Sequence, residues 1–299
     1  MTNRSRISPP TKAVSYAWPV MAMFLILGWS SGFIGFRYVS GETSVAVVLF
    51  WRTLIAGLIL LPFALTIGLR PDWTRLSAHA GLGAMSMFVY LGGFMLAIER
   101  QVPVGLVALI ADLLPLAIAM MAQPFLGERL SLRQGAGTAV ALCGVGLVSL
   151  DSLRLGTAPL WAYGLVVASV LAFALASVLY RSRQRMQIPV HQSLCIQSLA
   201  GAALFGIVAL WQGSLVPPLT GRFAFGMGWL VLTSTFTYAI YYTSLRLFPA
   251  ARVSAAIYLS PPVTMLWAWA VFDEPLTMTM AAGFGVTLCG VWLTSADPS

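Results

Sequence analysis

The sequence is poor in charge, cysteine and lysine, and each shortage excludes a class of protein. Only 9% of its 299 residues are charged and 59% are hydrophobic, whereas a soluble domain of this size needs far more polar surface to cover its core. Three cysteines, an odd number, do not make a disulfide framework. Lys12 is the only lysine, which excludes a retinal receptor with its Schiff base inside the membrane. The class that remains is an integral membrane protein.

Motifs for enzymatic or nucleotide-driven chemistry are also missing. The sequence has no H-E-x-x-H motif, no Cys/His cluster with metal-ligand spacing and no nucleotide-binding loop. Residues 28–32 match G-x-S-x-G formally, but that elbow needs a strand-to-helix turn and a base, and His79 and His191 fall at the ends of apolar stretches. An intramembrane serine hydrolase is therefore the least favoured function. We expect no catalytic residue, metal site or cofactor.

Ten apolar stretches have the length of a membrane-spanning helix, about 20 residues. Lipid offers the backbone no hydrogen-bond partner, so such stretches must be helices or strands of a closed barrel, and they lack the alternation of barrel strands. We predict an all-α membrane protein with the lipid bilayer as its surroundings. Its ten transmembrane helices are expected over residues 18–36, 44–66, 77–98, 103–122, 132–150, 159–180, 190–212, 224–245, 250–272 and 276–295.

The basic residues between these stretches predict the orientation. If the N-terminus is cytoplasmic, twelve Arg and Lys residues lie on the cytoplasmic side and only four lie outside, which is a clear positive-inside bias. Both termini are then cytoplasmic, residues 1–12 form a disordered cytoplasmic segment, and the protein resides in the plasma membrane, the inner membrane of a bacterium. The net charge of +8 comes from these scattered residues and does not indicate a nucleic-acid partner.

The two halves of the chain repeat each other. A shift of 146 residues places residues 141–147 on residues 287–293, both with a Leu-Cys-Gly-Val core, and also aligns Pro115 with Pro261 and Glu128 with Glu274. Each half, residues 13–150 and residues 151–299, carries five predicted spans. Because five is odd, the halves enter the membrane from opposite sides, and such inverted repeats are typical of secondary transporters with a substrate pocket near the midplane.

At this point the chain resembles the drug/metabolite transporter superfamily, in particular its EamA-like ten-helix exporters. The residues that carry the resemblance are Gly28-Trp29-Ser30-Ser31, Arg52, Pro115, Gly127-Glu128, Gly137 and Cys143-Gly144-Val145, with a second copy at Pro261, Glu274, Gly283 and Cys289-Gly290-Val291. The resemblance implies export of small metabolites by alternating access, and the aromatic-rich helices are similar to those of amino-acid exporters, for aromatic or other apolar amino acids. A passive facilitator and a multidrug exporter are the alternatives.

Two charged residues are expected inside the membrane, where charges are costly and often functional. Arg52 and Asp112 lie at similar depths, roughly 12 Å and roughly 14 Å from the outer side at 1.5 Å per residue. They are candidates for binding the two charged ends of a zwitterionic substrate. The alternatives are a structural Arg52–Asp112 ion pair or an arginine that reaches outward to the headgroups.

Aromatic residues within the spans are candidates for the walls of the pocket. Trp29, Tyr90 and Tyr258 lie too deep for the interfacial belt that Trp and Tyr prefer. Tyr238 and Tyr242 belong to a hydroxyl-rich stretch of the eighth span. These five residues complete the predicted substrate-binding set.

Prolines and small residues predict hinges and close helix contacts. Pro115, Pro261 and Pro262 interrupt the fourth and ninth spans at matching repeat positions, as expected of gating hinges. Gly28 and Gly32 form a GxxxG pair in the first span. The fifth and tenth spans are rich in Gly and Ala, so they are expected either to pack together or to form a homodimer contact.

Overall fold

The computed structural model describes residues 12–39, 41–102, 107, 110–128, 131–149, 158–183, 186–273 and 277–295. Over these ranges the chain is helical without a β-strand, which confirms the all-α class. The segment predicted to be disordered lies outside them, apart from Lys12, where the first helix begins.

The helices within these ranges follow most of the predicted spans. They are α1 (Lys12–Val39), α2 (Val45–Thr66), α3 (Trp73–Gly83), α4 (Tyr90–Glu99), α5 (Leu114–Leu126), α6 (Leu132–Ser149), α7 (Leu160–Ser182), α8 (Val190–Trp211), α9 (Gly221–Leu247), α10 (Ala250–Ile257), α11 (Ser260–Phe272) and α12 (Met278–Ser295). A π-helical segment, Ala84–Val89, joins α3 to α4. Seven helical stretches in the described part are long and apolar enough to cross a membrane, and two apolar helices, Leu114–Leu126 and Ala281–Thr294, are shorter.

The fourth and ninth predicted spans are interrupted rather than continuous. The ninth, residues 250–272, consists of α10 and α11 with a turn between them at residues 258–259. The fourth, residues 103–122, has the same turn at residues 112–113, directly before α5. The two turns are separated by the same shift that aligns the two halves of the sequence.

Prolines explain why both helices break. Pro115 and the pair Pro261-Pro262 stand at the starts of α5 and α11, directly after the two turns. A proline has no N–H to donate to the preceding turn, and its ring clashes with the carbonyl four residues earlier. The N–H of Leu113 instead donates to the carbonyl of Ile110, three residues back, at 3.1 Å. The predicted hinge residues thus lie at helix interruptions, while hinge motion there stays a prediction.

The helices pair along their lengths into a bundle. α1 packs along α9, α4 along α7, α2 along α8 and α6 along α12, and α5 contacts both α7 and α10. These pairings join residues that are far apart in the sequence. The centre of the bundle is therefore built from both halves of the chain.

Glycines let α1 approach α9 closely, but they are not the predicted pair. A Cβ added at Gly28 would lie 2.1 Å from Oγ1 of Thr237, and one at Gly35 would lie 2.6 Å from the ring of Trp229, whereas one at Gly32 would meet nothing within 4 Å. The GxxxG interpretation of Gly28 and Gly32 was therefore half right. Seven residues make about two helical turns, so Gly28 and Gly35 share the face that contacts α9.

The Gly- and Ala-rich helices α6 and α12 pack against each other within the chain. A Cβ at Gly144 would lie 2.4 Å from Oγ1 of Thr287, and a Cβ at Gly290 would lie 2.3 Å from the backbone nitrogen of Ala141. Such distances require glycine on the contact face, because backbone cannot move aside as a flexible side chain can. We call this contact the α6–α12 seam.

The seam predicts that glycines of α12 differ sharply in their tolerance of a methyl group. Gly290→Ala should lower the Tm of the purified protein in detergent by several degrees, since overpacking of a tight contact costs about 1–3 kcal/mol. Gly285→Ala on the same helix should leave the Tm unchanged or raise it, because nothing lies within 4 Å of its added Cβ and alanine favours helix. Equal melting of the two variants would contradict the seam.

Candidate functional site

Aromatic side chains from four helices meet near the middle of the bundle. The ring of Phe173 on α7 lies 4.5 Å from Tyr90, 5.8 Å from Trp29 and 5.6 Å from Tyr241. Tyr238 lies 6.0 Å from Trp29. We call these five residues the aromatic cluster. It brings together three of the predicted site residues, Trp29, Tyr90 and Tyr238, from α1, α4 and α9.

Tyr242 adjoins the aromatic cluster one helical turn further along α9. Its ring lies 6.2 Å from Tyr238, 5.5 Å from Tyr241 and 4.3 Å from Tyr180. Its hydroxyl donates a hydrogen bond of 2.8 Å to Oε1 of Gln197 on α8. Tyr242 is therefore a buried link between the aromatic cluster and a polar side chain of α8.

Arg52 lies beside the aromatic cluster and has no carboxylate partner among the described residues. Its Nε donates to Oγ of Ser234 at 3.2 Å, and its guanidinium also interacts with the hydroxyl of Tyr238. The ion pair with Asp112 that the sequence allowed does not form in the described part of the chain. Similar depth along two helices fixes the height of a side chain, but it leaves open the direction in which the side chain points.

Asp112 and Tyr258 occupy the equivalent turns of the two interrupted spans. Asp112 interacts electrostatically with Tyr90 and with Tyr258. Tyr258 is 1% exposed and packs against α6. The predicted binding residues thus form two groups, Arg52 with the aromatic cluster and Asp112 with Tyr258. Tyr90 interacts electrostatically with both Arg52 and Asp112.

The midplane pocket that the sequence predicts is closed in this conformation. The cavity beside Arg52 has a volume of about 10 Å³, and its walls include Thr53, Ser198, Ser234 and Tyr238. This is room for about one water molecule, whereas small-molecule pockets usually enclose about 300 Å³ or more. Tyr238 of the aromatic cluster forms part of the wall of this cavity, and the rings of the cluster pack against one another beside it.

One end of the bundle is rich in arginine. It is formed by the starts of α3 and α8 and the ends of α7 and α9, and it carries Arg75, Arg181, Arg183 and Arg246. We call it the arginine-rich end. It is the end that the positive-inside pattern predicts to be cytoplasmic.

A buried ion pair joins several helices at the arginine-rich end of the bundle. Nε of Arg181, a residue only 6% exposed, lies 2.8 Å from Oε1 of Glu128. The same guanidinium donates to the carbonyls of Leu245 and Phe248. Oε2 of Glu128 accepts a hydrogen bond of 3.0 Å from the N–H of Ala250 at the start of α10, a favourable place for a carboxylate. The pair thereby ties together α5, α7, α9 and α10.

Comparison with known proteins identifies the scaffold on which this site is built. A model of the EamA-like transporter family matches residues 16–150 and residues 160–296. The chain belongs to the EamA-like transporter family. It is therefore a membrane transporter of the drug/metabolite type, as the sequence resemblance predicted.

Individual relatives of this EamA-like transporter are distant but span most of its length. An uncharacterized transporter of Archaeoglobus fulgidus is 25% identical over 92% of this chain and 97% of its own. A probable terminal-alkyne amino-acid exporter of Streptantibioticus cattleyicolor is 24% identical over 90% of both chains. A solved crystal structure superimposes with a TM-score of 0.79 at 18% identity and covers 92% of this chain and 94% of its own. The structural likeness shows the fold.

Several residues of the site in this EamA-like transporter were not predicted from the sequence. Phe173 gives no signal, since it is one of 16 phenylalanines in apolar surroundings. Gln197 did have a signal, because a carboxamide at membrane depth needs a partner on another helix. Trp229 on α9 also bonds another helix, since its Nε1 donates to the carbonyl of Ser31 on α1 at 3.0 Å.

The Arg181–Glu128 pair predicts a large loss of stability when its carboxylate is removed. Glu128→Gln should lower the Tm in detergent clearly, because it leaves Arg181 buried without a counter-charge. Breaking a buried pair typically costs about 3–5 kcal/mol, and we expect about 2 kcal/mol here because Glu128 is 22% exposed. Glu99→Gln, at an exposed position, is the control. A Tm equal to that of the control would show that the pair contributes nothing.

Proposed function

We propose that this transporter exports small metabolites by alternating access, and that these are amino acids with aromatic or other apolar side chains. The observation that carries the proposal is Arg52, a guanidinium at membrane depth whose protein partners are hydroxyls rather than carboxylates. A charge in that position is costly unless it meets an opposite charge. A substrate carboxylate would supply it in the bidentate geometry that arginine favours.

The neighbours of Arg52 suit the rest of an amino acid. Asp112 interacts electrostatically with Tyr90 and is the group for the substrate ammonium. The rings of Trp29 and Phe173 meet edge to face with their centroids 5.8 Å apart, and they suit contact with an apolar or aromatic side chain once they separate. That a relative is a probable terminal-alkyne amino-acid exporter is in keeping with this substrate class.

The topology proposed for transport is ten spans in two inverted halves, residues 13–150 and residues 151–299. Exchange of the two halves maps each span onto the span five places later. The contact of α1 with α9 then corresponds to that of α4 with α7, and the contact of α5 with α7 corresponds to that of α1 with α11. The contacts of α2 with α8, of α6 with α12 and of α5 with α10 map onto themselves. A two-fold relation between the halves accounts for every one of these pairings.

In this proposal the two halves rock about the centre, and both termini are cytoplasmic, in the plasma membrane. The Arg181–Glu128 pair holds the arginine-rich end closed in the present conformation, and the aromatic cluster closes the centre. Opening separates these contacts, with bending at Pro115 and at Pro261-Pro262, where the helices are already interrupted. A homodimer would use the outer faces of α6 and α12, because their inner faces are occupied by the seam.

The proposal predicts that Arg52 recognises a carboxylate. In proteoliposomes loaded with labelled phenylalanine or phenethylamine, its analogue without the carboxylate, the wild type should release phenylalanine preferentially. Arg52→Gln should raise the KM for phenylalanine by about tenfold or more, since a charge-assisted hydrogen bond contributes about 1.5–3 kcal/mol. Arg222→Gln, at an exposed position, is the control. Equal release of both compounds by the wild type would favour a multidrug exporter instead.

The role of Asp112 is tested in the same vesicles. Asp112→Asn should weaken phenylalanine efflux because the ammonium loses its counter-charge, and normal rates in both Asp112→Asn and Arg52→Gln would remove these residues from the mechanism. An imposed proton gradient separates two modes of transport. Flux that ignores the gradient favours a passive facilitator, and flux that follows it favours a coupled exporter.

A further inference from the structure

Gln197 makes more side-chain contacts at membrane depth than the proposed mechanism uses. It is fully buried near the middle of α8. Its Oε1 accepts hydrogen bonds from Oη of Tyr242 at 2.8 Å and from Oγ of Ser86 at 3.0 Å. Its Nε2 donates to Oγ of Ser193 at 2.9 Å. One carboxamide thus joins α8, α9 and the π-helical segment, a kind of segment that often occurs at functional sites.

The surrounding backbone is shaped to bring these groups together. A Cβ at Gly83 would lie 2.5 Å from the carbonyl oxygen of Gln197. The end of α3 therefore contacts the backbone of α8 at Gln197, and a side chain larger than that of glycine at position 83 would prevent this contact. The extra residue in the π-helical turn directly after Gly83 places Ser86 opposite the carboxamide.

The chain of hydrogen bonds continues to His79 on α3, and its directions are determined. Nε2 of His79 lies 3.1 Å from the carbonyl oxygen of Met186, which can only accept, so Nε2 carries the hydrogen. Nδ1 of the neutral ring then accepts from Oγ of Ser193 at 2.8 Å. The hydrogen bonds therefore run in one sense, from Gln197 to Ser193 and from Ser193 to His79.

His79 lines a cleft that opens at the arginine-rich end. The cleft has a volume of about 260 Å³ and is lined by Leu82, Met85, Tyr180 and Arg183 among others. Tyr180 also stacks on Tyr242. Tyr180 therefore lines the cleft and also contacts Tyr242, which adjoins the aromatic cluster. Tyr242 is in turn hydrogen-bonded to Gln197.

We propose that Gln197 is the positioning residue of the substrate site. It fixes the hydroxyls of Tyr242 and Ser86 beside the aromatic cluster, and through Ser193 it joins them to His79 in the wall of the cleft. This inference rests on the proposed function for its transport measurements. In this arrangement Gln197 does not touch the substrate, but it decides where the ring of Tyr242 stands when the aromatic cluster opens.

The neighbouring residue Gln192 provides a matched control. It lies on the same helix, is 4% exposed, and its side chain bonds the backbone of Leu69 and the carbonyl of Ala64. Both glutamines therefore tie α8 to other elements, but only Gln197 reaches Tyr242. Gln192→Leu measures the effect of losing a buried carboxamide as such.

In phenylalanine efflux, Gln197→Leu should raise the KM about fivefold or more with a smaller change in maximal rate, because the unmade bonds leave Tyr242 and Ser86 unsatisfied. Tyr242→Phe, which removes one hydroxyl and little volume, should change the KM in the same direction. Gln192→Leu should lower the Tm and leave the KM unchanged. An unchanged KM in Gln197→Leu and Tyr242→Phe, or an equal rise in Gln192→Leu, overturns the proposal.

The pH dependence of the KM for phenylalanine tests the link from Gln197 to His79, because a residue that only stabilises the fold would not change it. A proton on Nδ1 of His79 takes away the acceptor of the Ser193 hydroxyl, which must turn away. The wild-type KM should therefore rise as the pH is lowered from about 7.5 into the range in which this buried histidine takes up a proton. Charged and titratable groups near His79 on the neighbouring elements are Tyr180, whose ring centroid lies 6.2 Å away, Arg246, which acts on it electrostatically, and Arg183, which lines the same cleft. His79→Gln should abolish the dependence, and its persistence in that variant would refute the link to His79.

A measurement without substrate separates this inference from the proposed function. Met85→Cys places a thiol in the wall of the cleft, and its rate of labelling by a water-soluble maleimide reports how open the wall is. Adding Gln197→Leu to Met85→Cys should speed labelling severalfold, whereas adding Gln192→Leu should not. The protein without Met85→Cys gives the background labelling of the native cysteines. Unchanged labelling overturns the inference whether or not phenylalanine is transported. Failure of the wild type to move any amino acid overturns only the proposed function.

Discussion

The arrangement of this transporter depends on one constraint: a polar group at membrane depth must find its partner inside the protein. Arg52 meets the hydroxyls of Ser234 and Tyr238, and Gln197 meets three further hydroxyls from three elements. Apart from the bond between Gln197 and Ser193, which lies within α8, these contacts join elements that the sequence separates by 45 residues or more. The polar groups therefore determine which helices lie side by side at the centre, while the apolar surface only requires that the helices be in the membrane.

The same constraint distinguishes the permanent contacts of the bundle from those that can open. The α6–α12 seam is made by glycine backbones in close contact, and the hydroxyls of Thr287 and Thr294 that face it donate to carbonyls of their own helix. The Arg181–Glu128 pair and the hydrogen bonds of Gln197 are polar contacts whose loss water can compensate once a path opens. The seam is thus suited to be a fixed edge, and the arginine-rich end and the centre are suited to move.

Local features of this fold were predictable from the sequence, and relations between helices were not. The prolines marked the interrupted helices because the loss of an N–H acts within one turn. The separation of Arg52 from Asp112 could not be predicted, because the rotation of each helix is set by its neighbours. The partners of Gln197 on other elements could not be predicted for the same reason, since they lie on the π-helical segment Ala84–Val89 and on α9. The closed centre was also unpredictable, because one sequence serves every conformation of a transport cycle.

The duplicated scaffold carries chemistry that is not duplicated. Asp112 and Tyr258 occupy equivalent turns, so one half presents a carboxylate where the other presents a phenol. A pocket formed by identical halves would offer a substrate the same groups from both ends, and a zwitterion would have no preferred orientation. With Asp112 in one half and Tyr258 in the other, the proposed pocket offers a carboxylate from one half only, and this difference would give a bound zwitterion a preferred orientation. The repeat thus provides a common scaffold, and the differences between its two copies provide the asymmetry that selective binding requires.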